Sequence, residues 1–286
     1  MGDLAARITA SLSDPRCEPW FPELTEYLTL CEWKRLHKEI GIVPETYSTA
    51  RILQRSTSIC GDIKSSFEYS FSLKTPNIKI EAAQQQWANS YSKAGIRFYS
   101  TAELENTSVL ACIGDALEII SRIPTLAGSI NHLVRSMHVI RPPDAEQDVS
   151  FSEPYIPFSI FISVFEERVR NDGLRVAEAI VHEAMHLQLT MIENIVRLVS
   201  RKDSRYYSPW RHEYRNAQSL LHGLYVFRVI AQFLTRLLAV SESVDSDYAS
   251  IRLQNITAEI NQIHMFSQCS ELTLVGSRLV NRLIPN

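Results

Sequence analysis

Glycine is scarce in this chain, with nine among 286 residues. Gly-rich repeats and glycine linkers are therefore disfavoured. Cys17, Cys31, Cys60, Cys112 and Cys269 are odd in number and widely spaced, and no Cys-x-x-Cys occurs. They read as free buried thiols in a reducing cytosol, not as a disulfide framework. An excess of one charge is also missing. Lys and Arg total 29 against 32 Asp and Glu, and the formal net charge is -3. Such a balance offers no whole-protein field to draw in nucleic acid. No run approaches the ~18 apolar residues of a membrane span. Met1 to Ser13 reads as an amphipathic helix (Leu4, Ile8, Leu12) with acidic Asp3. It lacks the basic segment and apolar core of a signal peptide. The expectation is a cytoplasmic protein that engages neither nucleic acid nor membrane.

What the chain does have is core-forming residues. Hydrophobic residues make up 45% and charged residues 21%, ordinary values for a globular protein that buries a sizeable core. Residues 1 to about 47 read as short helices punctuated by Pro15, Pro19, Pro22 and Pro44. Phe67 to Leu73 alternates with period two, as a half-buried strand does, and Ile78 to Ile80 is a second short candidate. Ala102 to Ser136 reads as two helices broken near Pro124 and Gly128. Met137 to Ile140 and Phe158 to Phe165 read as strands, the latter facing Val149 to Phe151 in a hairpin. After Gly173 the period becomes 3.6. Helices are expected over about 174–200, 217–240 and from 248 to before Pro285, with a polar loop from Arg201 to Arg215. The expected fold is α+β and predominantly helical. A helical C-terminal half carries the functional residues, with a small antiparallel sheet before it. The expected organisation is one mixed domain over 1–286. Within it, 1–100 is a candidate peptide-recognition subregion and 101–286 a catalytic region.

The chemistry-bearing segment is His182-Glu183-Ala184-Met185-His186. Two histidines four apart on a helix leave the same face, one turn apart. Their ring nitrogens can then meet one metal ion at about 2.0–2.2 Å. Glu183 points about 100° away around the helix. From there it can activate a metal-bound water or orient a ligand from behind. The preceding turn is small and apolar (Val176, Ala177, Ala179, Ile180, Val181), so the helix is expected to be buried. Two unpartnered histidines and a glutamate there would cost several kcal/mol. The plain alternative is two core histidines satisfied by backbone carbonyls.

A metal site needs a third ligand. The continuation His-x-x-Gly-x-x-His is absent after Leu187, which excludes the metzincin pattern. Glu193 lies two turns beyond His186, roughly 10 Å along the helix, too far to share the ion. His222 is the better candidate. It sits in Leu220-Leu221-His222-Gly223-Leu224-Tyr225, near the start of an apolar helix that can pack antiparallel on the first. Its plain alternative is a helix-end histidine bonded to backbone. His212 adjoins Arg211 in the loop and either faces the site or is solvated. His37, His132, His138 and His264 show no paired spacing and read as surface or satisfied core. In Ser208-Pro209-Trp210-Arg211, Pro209 stiffens the loop and Trp210 can anchor it. Arg211 would then be held as a clamp for a carboxylate. The alternative is a surface loop with a snorkelling arginine.

Three segments in this order are His182 to His186, Tyr206-Tyr207-Ser208-Pro209-Trp210-Arg211, and Leu221-His222-Gly223-Leu224-Tyr225-Val226-Phe227. Together they resemble the HExxH-type peptide-modification proteins of bacterial ribosomal-peptide biosynthesis, described as iron(II)- and 2-oxoglutarate-dependent peptide β-hydroxylases. The resemblance spans about residues 150–240. It implies Fe(II) held by His182, His186 and His222, with 2-oxoglutarate and O2 as cosubstrates. Glu183 would lie beside the metal or the oxygen pocket. Arg211 or Arg215 would clamp the distal carboxylate of 2-oxoglutarate, with Trp210 and Tyr225 beside that cosubstrate and Tyr207 and His212 beside the peptide. A precursor peptide is the implied partner. Read without the resemblance, the same residues suit a zinc metallopeptidase with Glu183 as general base. They also suit a non-catalytic peptide-binding protein with a structural metal, in which a peptide adds a strand to a sheet edge.

Overall fold

A computed structural model gives the fold. It describes residues 2–40, 68–70, 78–81, 83, 85–106, 108–143, 148–153, 156–240 and 246–284. Cys60, Pro44 and the ends of the expected 67–73 strand lie outside the described residues. The fold is α+β and predominantly helical. Two compact units divide the chain, one of residues 1–28 and 188–286, the other of residues 29–187.

The 29–187 unit is built on a sheet. Its strands are β1 (Glu68–Ser70), β2 (Lys79–Glu81), β3 (Ser136–Ile140), β4 (Ser150–Phe151) and β5 (Ser159–Ser163), in the order β1-β2-β3-β5-β4. Pairing is antiparallel at the two edges and parallel at β2–β3 and β3–β5. The sheet is thus mixed, where an antiparallel one was expected. The reason is visible in β3 and β5, which are buried along their whole length. Strands covered on both faces carry near-continuous apolar runs, the signature of parallel pairing. The expected hairpin of β4 with β5 is present, with Phe151 opposite Phe161. Helices α3 (Gln85–Ser92), α4 (Thr101–Asn106), α5 (Val109–Ser121) and α6 (Pro124–Leu133) fill the crossover from β2 to β3. Pro124 opens α6 at a position where a missing N–H is harmless.

Helix α7 (Asp172–Glu193) follows β5. The Asp172 carboxylate accepts from the backbone N–H of Val169 and of Gly173. Negative charge there also suits the positive end of the helix dipole. Around its circumference α7 is buried except along one stripe: Arg175, Ala179, His182, His186, Thr190 and Glu193 are part-exposed, and the positions between them are buried. Steps of three and four residues keep that stripe on a single face.

The 1–28 and 188–286 unit holds α1 (Gly2–Ser13), the start of α2 (Pro22–Ile40), the hairpin β6 (Arg205–Ser208) and β7 (Glu213–Asn216), α8 (Ala217–Val240), α9 (Ser246–Asn261), a 3-10 turn (His264–Gln268) and α10 (Leu274–Leu283). One long C-terminal helix was expected, and the chain instead breaks after Asn261. Thr273 then caps α10 by accepting from the Gly276 N–H at 3.1 Å. Gly276 allows a close approach, since a Cβ there would lie 2.1 Å from the Leu198 carbonyl oxygen. By length and composition α8 could cross a membrane, but half of its most apolar window is buried in the fold, as in a core helix. Gln188 is fully buried in this unit. Its amide donates to the Trp20 carbonyl and to Thr25 Oγ1, both at 2.8 Å, and it accepts from the Tyr225 hydroxyl.

Candidate metal centre

His182 and His186 leave the open stripe of α7 with their Nε2 atoms 3.1 Å apart. Two nitrogens at that separation can both reach one cation at about 2.0–2.1 Å. The rings meet edge to face, with centroids 4.8 Å apart and planes 65° apart. Glu183 lies off the stripe and is 2% exposed. Its Oε1 accepts a hydrogen bond from Ser150 Oγ at 2.7 Å and stands 3.9 Å from His182 Nε2. The carboxylate is therefore fixed on the side where the imidazole nitrogens converge. The donor set fits a borderline metal ion such as zinc or iron, for which imidazole is a good ligand. Among the described residues no group of three or more His, Cys, Asp and Glu side chains is arranged as a metal-ligand set. The geometry thus brings two candidate ligands together, and the third candidate, His222, rests on the sequence.

In the other unit, His222 Nε2 lies 2.9 Å from Glu193 Oε2, which also accepts from Gln218 Nε2 at 2.7 Å. Burial opposes ionisation of Glu193, but the bonds from His222 and Gln218 and the nearby Lys202 charge outweigh it and hold the carboxyl below its ordinary value.

The segment expected as a polar loop is a hairpin. Pro209 to His212 turn between β6 and β7, and His212 takes a φ of 52°, a left-handed conformation that non-glycine residues seldom adopt. Trp210 anchors the turn by stacking on Phe227, with centroids 4.9 Å apart and planes 11° apart. Gly223 makes room for it, since a Cβ there would meet the indole ring at 2.9 Å. Arg211 is exposed and makes no ion pair among the described residues, whereas Arg215 pairs with Glu213 at 2.8 Å. Tyr207 Oη and His212 Nδ1 are 3.3 Å apart at the surface. Tyr225 is a core residue, fully buried and stacked on Phe21.

Of the remaining histidines, His138 is core, His264 is exposed and His132 is half-buried. The side chain of His37 lies outside the described residues. Sequence reasoning missed two contacts, that of Ser150 with Glu183 and that of Glu193 with His222. Ser150 gave no signal beyond its place in an expected strand. Glu193 was set aside because only ligation was considered. No family model matches the chain, and no curated protein matches it.

Proposed function

We propose that this chain is a metal-dependent oxygenase that hydroxylates a β-carbon of a ribosomally made precursor peptide, using iron(II), 2-oxoglutarate and O2. The observation that carries the metal reading is the 3.1 Å separation of the His182 and His186 Nε2 atoms on the one open stripe of a buried helix. Core histidines satisfied by backbone carbonyls have no reason to aim their nitrogens at each other. The resemblance of three ordered segments supports the oxygenase class. Iron(II) bound there with 2-oxoglutarate supplies oxidation of an unactivated C–H bond, chemistry that belongs to the cofactor.

The chain's own residues have separate tasks. His182 and His186 hold the ion through neutral imidazoles, and the sequence nominates His222 as the third ligand. Glu183 accepts from Ser150 Oγ at 2.7 Å, which fixes the carboxylate so that it can orient its neighbours. Between the two candidate arginines, the Glu213 partner of Arg215 favours Arg211 as the clamp for the distal carboxylate. A cytoplasmic setting accords with the free thiols of Cys17, Cys31, Cys112 and Cys269.

A zinc metallopeptidase is the second reading. It is favoured by the 3.9 Å distance from Glu183 Oε1 to His182 Nε2, which sets a carboxylate beside the place where a metal-bound water would sit.

Anaerobic titration of the metal-free protein with Fe(II), then 2-oxoglutarate, tests the choice. A visible charge-transfer band that needs both additions, is absent with zinc and is lost in His182→Ala supports the oxygenase. No band, stoichiometric zinc and peptide cleavage abolished by Glu183→Gln would replace it with the peptidase.

A further inference from the structure

We propose that the outer edge of β4 docks an extended peptide by strand addition and presents the peptide residue opposite Ser150 to the His182–His186 pair. Docking needs no metal, whereas the presentation rests on the metal reading of that pair. β4 is the last strand of the sheet in the 29–187 unit, and among the described residues no strand lies along its outer side. It differs from the strand it pairs with. β5 is buried along its whole length, while residues 148–153 are all part-exposed or exposed. In an antiparallel ladder the N–H and C=O of one residue point at the partner strand, and those of the next point away. The Ser163 N–H donates to the Val149 carbonyl at 2.9 Å, so Val149 faces β5. The N–H and C=O of Ser150 therefore face outward, and among the described residues no backbone group meets them there. A donor and an acceptor side by side on a strand edge match the main chain of a second extended segment.

Ser150 also joins that edge to the histidine pair. Its hydroxyl donates to Glu183 Oε1 at 2.7 Å, and the same oxygen stands 3.9 Å from His182 Nε2. Directly opposed residues on strands about 4.8 Å apart project their side chains from the same face of the sheet. A peptide residue paired with Ser150 thus sends its β-carbon to the face that carries Glu183 and the histidines. The residues on either side of it project from the other face. There Phe151 stacks on Phe161, with centroids 4.4 Å apart, and the Tyr91 ring lies 5.5 Å from that of Phe151. Phe151 and Tyr91 are both part-exposed. The ligand that fits is an extended segment in which the presented residue stands between apolar ones. β4 spans two residues, and so short an edge resists indiscriminate pairing. Selectivity then falls to the side chains on the two faces.

Peptides selected from a random display library on the metal-free, full-length protein are the probes. Bound peptide should slow hydrogen exchange at the Ser150 amide. Ser150→Ala keeps that amide and should bind the peptides almost as wild type does. Ser150→Pro removes an N–H that β4 does not use in pairing with β5, and should bind them at least roughly tenfold more weakly. Should the proline variant fail to fold, the same peptides N-methylated at alternate residues take its place. Methylation in one of the two registers should then abolish binding and in the other should spare it. With Co(II) added, paramagnetic broadening along the bound peptide should alternate with period two and peak at the residue opposite Ser150. Failure to select any peptide, or peptides indifferent to Ser150→Pro and to N-methylation, would overturn the docking edge. Co(II) binding that depends on His182, with no alternation along the peptide, would overturn the presentation alone. Co(II) affinity unchanged in His182→Ala would remove the metal reading and leave the docking edge standing.

Discussion

The 29–187 unit contains histidines in two kinds of surroundings. His138 on β3 is 2% exposed. Its Nδ1 meets the Glu81 carbonyl at 3.2 Å, its Nε2 meets Ser136 Oγ at 3.1 Å, and its ring stacks on Phe161. Both nitrogens have protein partners, and burial pushes the ring's pKa down to about 3. His182 and His186 are half-buried and aim nitrogen at nitrogen. Two facing ring nitrogens cannot both donate or both accept. One proton between them, or one cation, resolves the conflict. The two kinds of histidine differ both in burial and in what their ring nitrogens meet.

The largest expected effect tests that distinction directly. His182→Ala or His186→Ala should weaken metal binding at least ~100-fold, because each removes a ligand that the remaining site cannot replace. His138→Gln should leave metal affinity per folded molecule unchanged. It should instead destabilise the fold by about 1–3 kcal/mol, since it disturbs bonds to Ser136 and Glu81 in a buried strand pair. Equilibrium dialysis with Co(II), paired with chemical denaturation, reads both quantities. Loss of metal in the His138 variant would erase the contrast.

A smaller effect appears in the pH dependence of stability. The pKa of His138 is about 3 in the fold against an ordinary 6.5, so below pH 6.5 the unfolded chain takes up the proton first. Its contribution to stability is complete above pH 6.5 and is lost as pH falls from there toward 3. The slope is at most about 1.4 kcal/mol per pH unit. Denaturation curves at several pH values between 7 and 4 (roughly the window in which these titrations matter) should show that slope in wild type and a shallower one in His138→Gln. Equal slopes would mean that His138 is not the buried neutral base described.

Legibility in the sequence followed the range of the interaction. Helix α8 was expected over 217–240 and runs over Ala217–Val240, because apolar residues at period 3.6 are a local signal. The facing of His182 and His186 was legible for the same reason, since i and i+4 share a face wherever the helix packs. Trp210 was expected to anchor its segment, and it does so on Phe227. The pairing of Tyr207 with Tyr214 across a hairpin was not legible. Polar, charge-rich β6 and β7 lack the apolar alternation that marks a half-buried strand. The parallel pairing of β3 with β5 was hidden because order within a sheet is set by distant partners. The same holds for Ser150 and Glu183, which are 33 residues apart and meet only once β4 pairs with β5.

That long-range contact yields the smallest predicted effect. Ser150→Ala removes the hydroxyl that donates to Glu183 at 2.7 Å and leaves the ligand pair intact. The carboxylate is 2% exposed, so losing one donor costs about 1–2 kcal/mol of stability. On the oxygenase reading the loss frees a carboxylate that orients its neighbours. Metal affinity should fall only a few-fold, less than the ~10–100-fold typical of a partner bonded to the ligand itself, because Ser150 acts through Glu183. On the peptidase reading, the freed carboxylate should slow peptide cleavage while the metal stays bound. A Ser150→Ala protein that binds metal almost normally therefore keeps the contrast between ligands and their supports. One that loses metal as fully as His182→Ala would show that Glu183 and Ser150 belong to the ligand set itself.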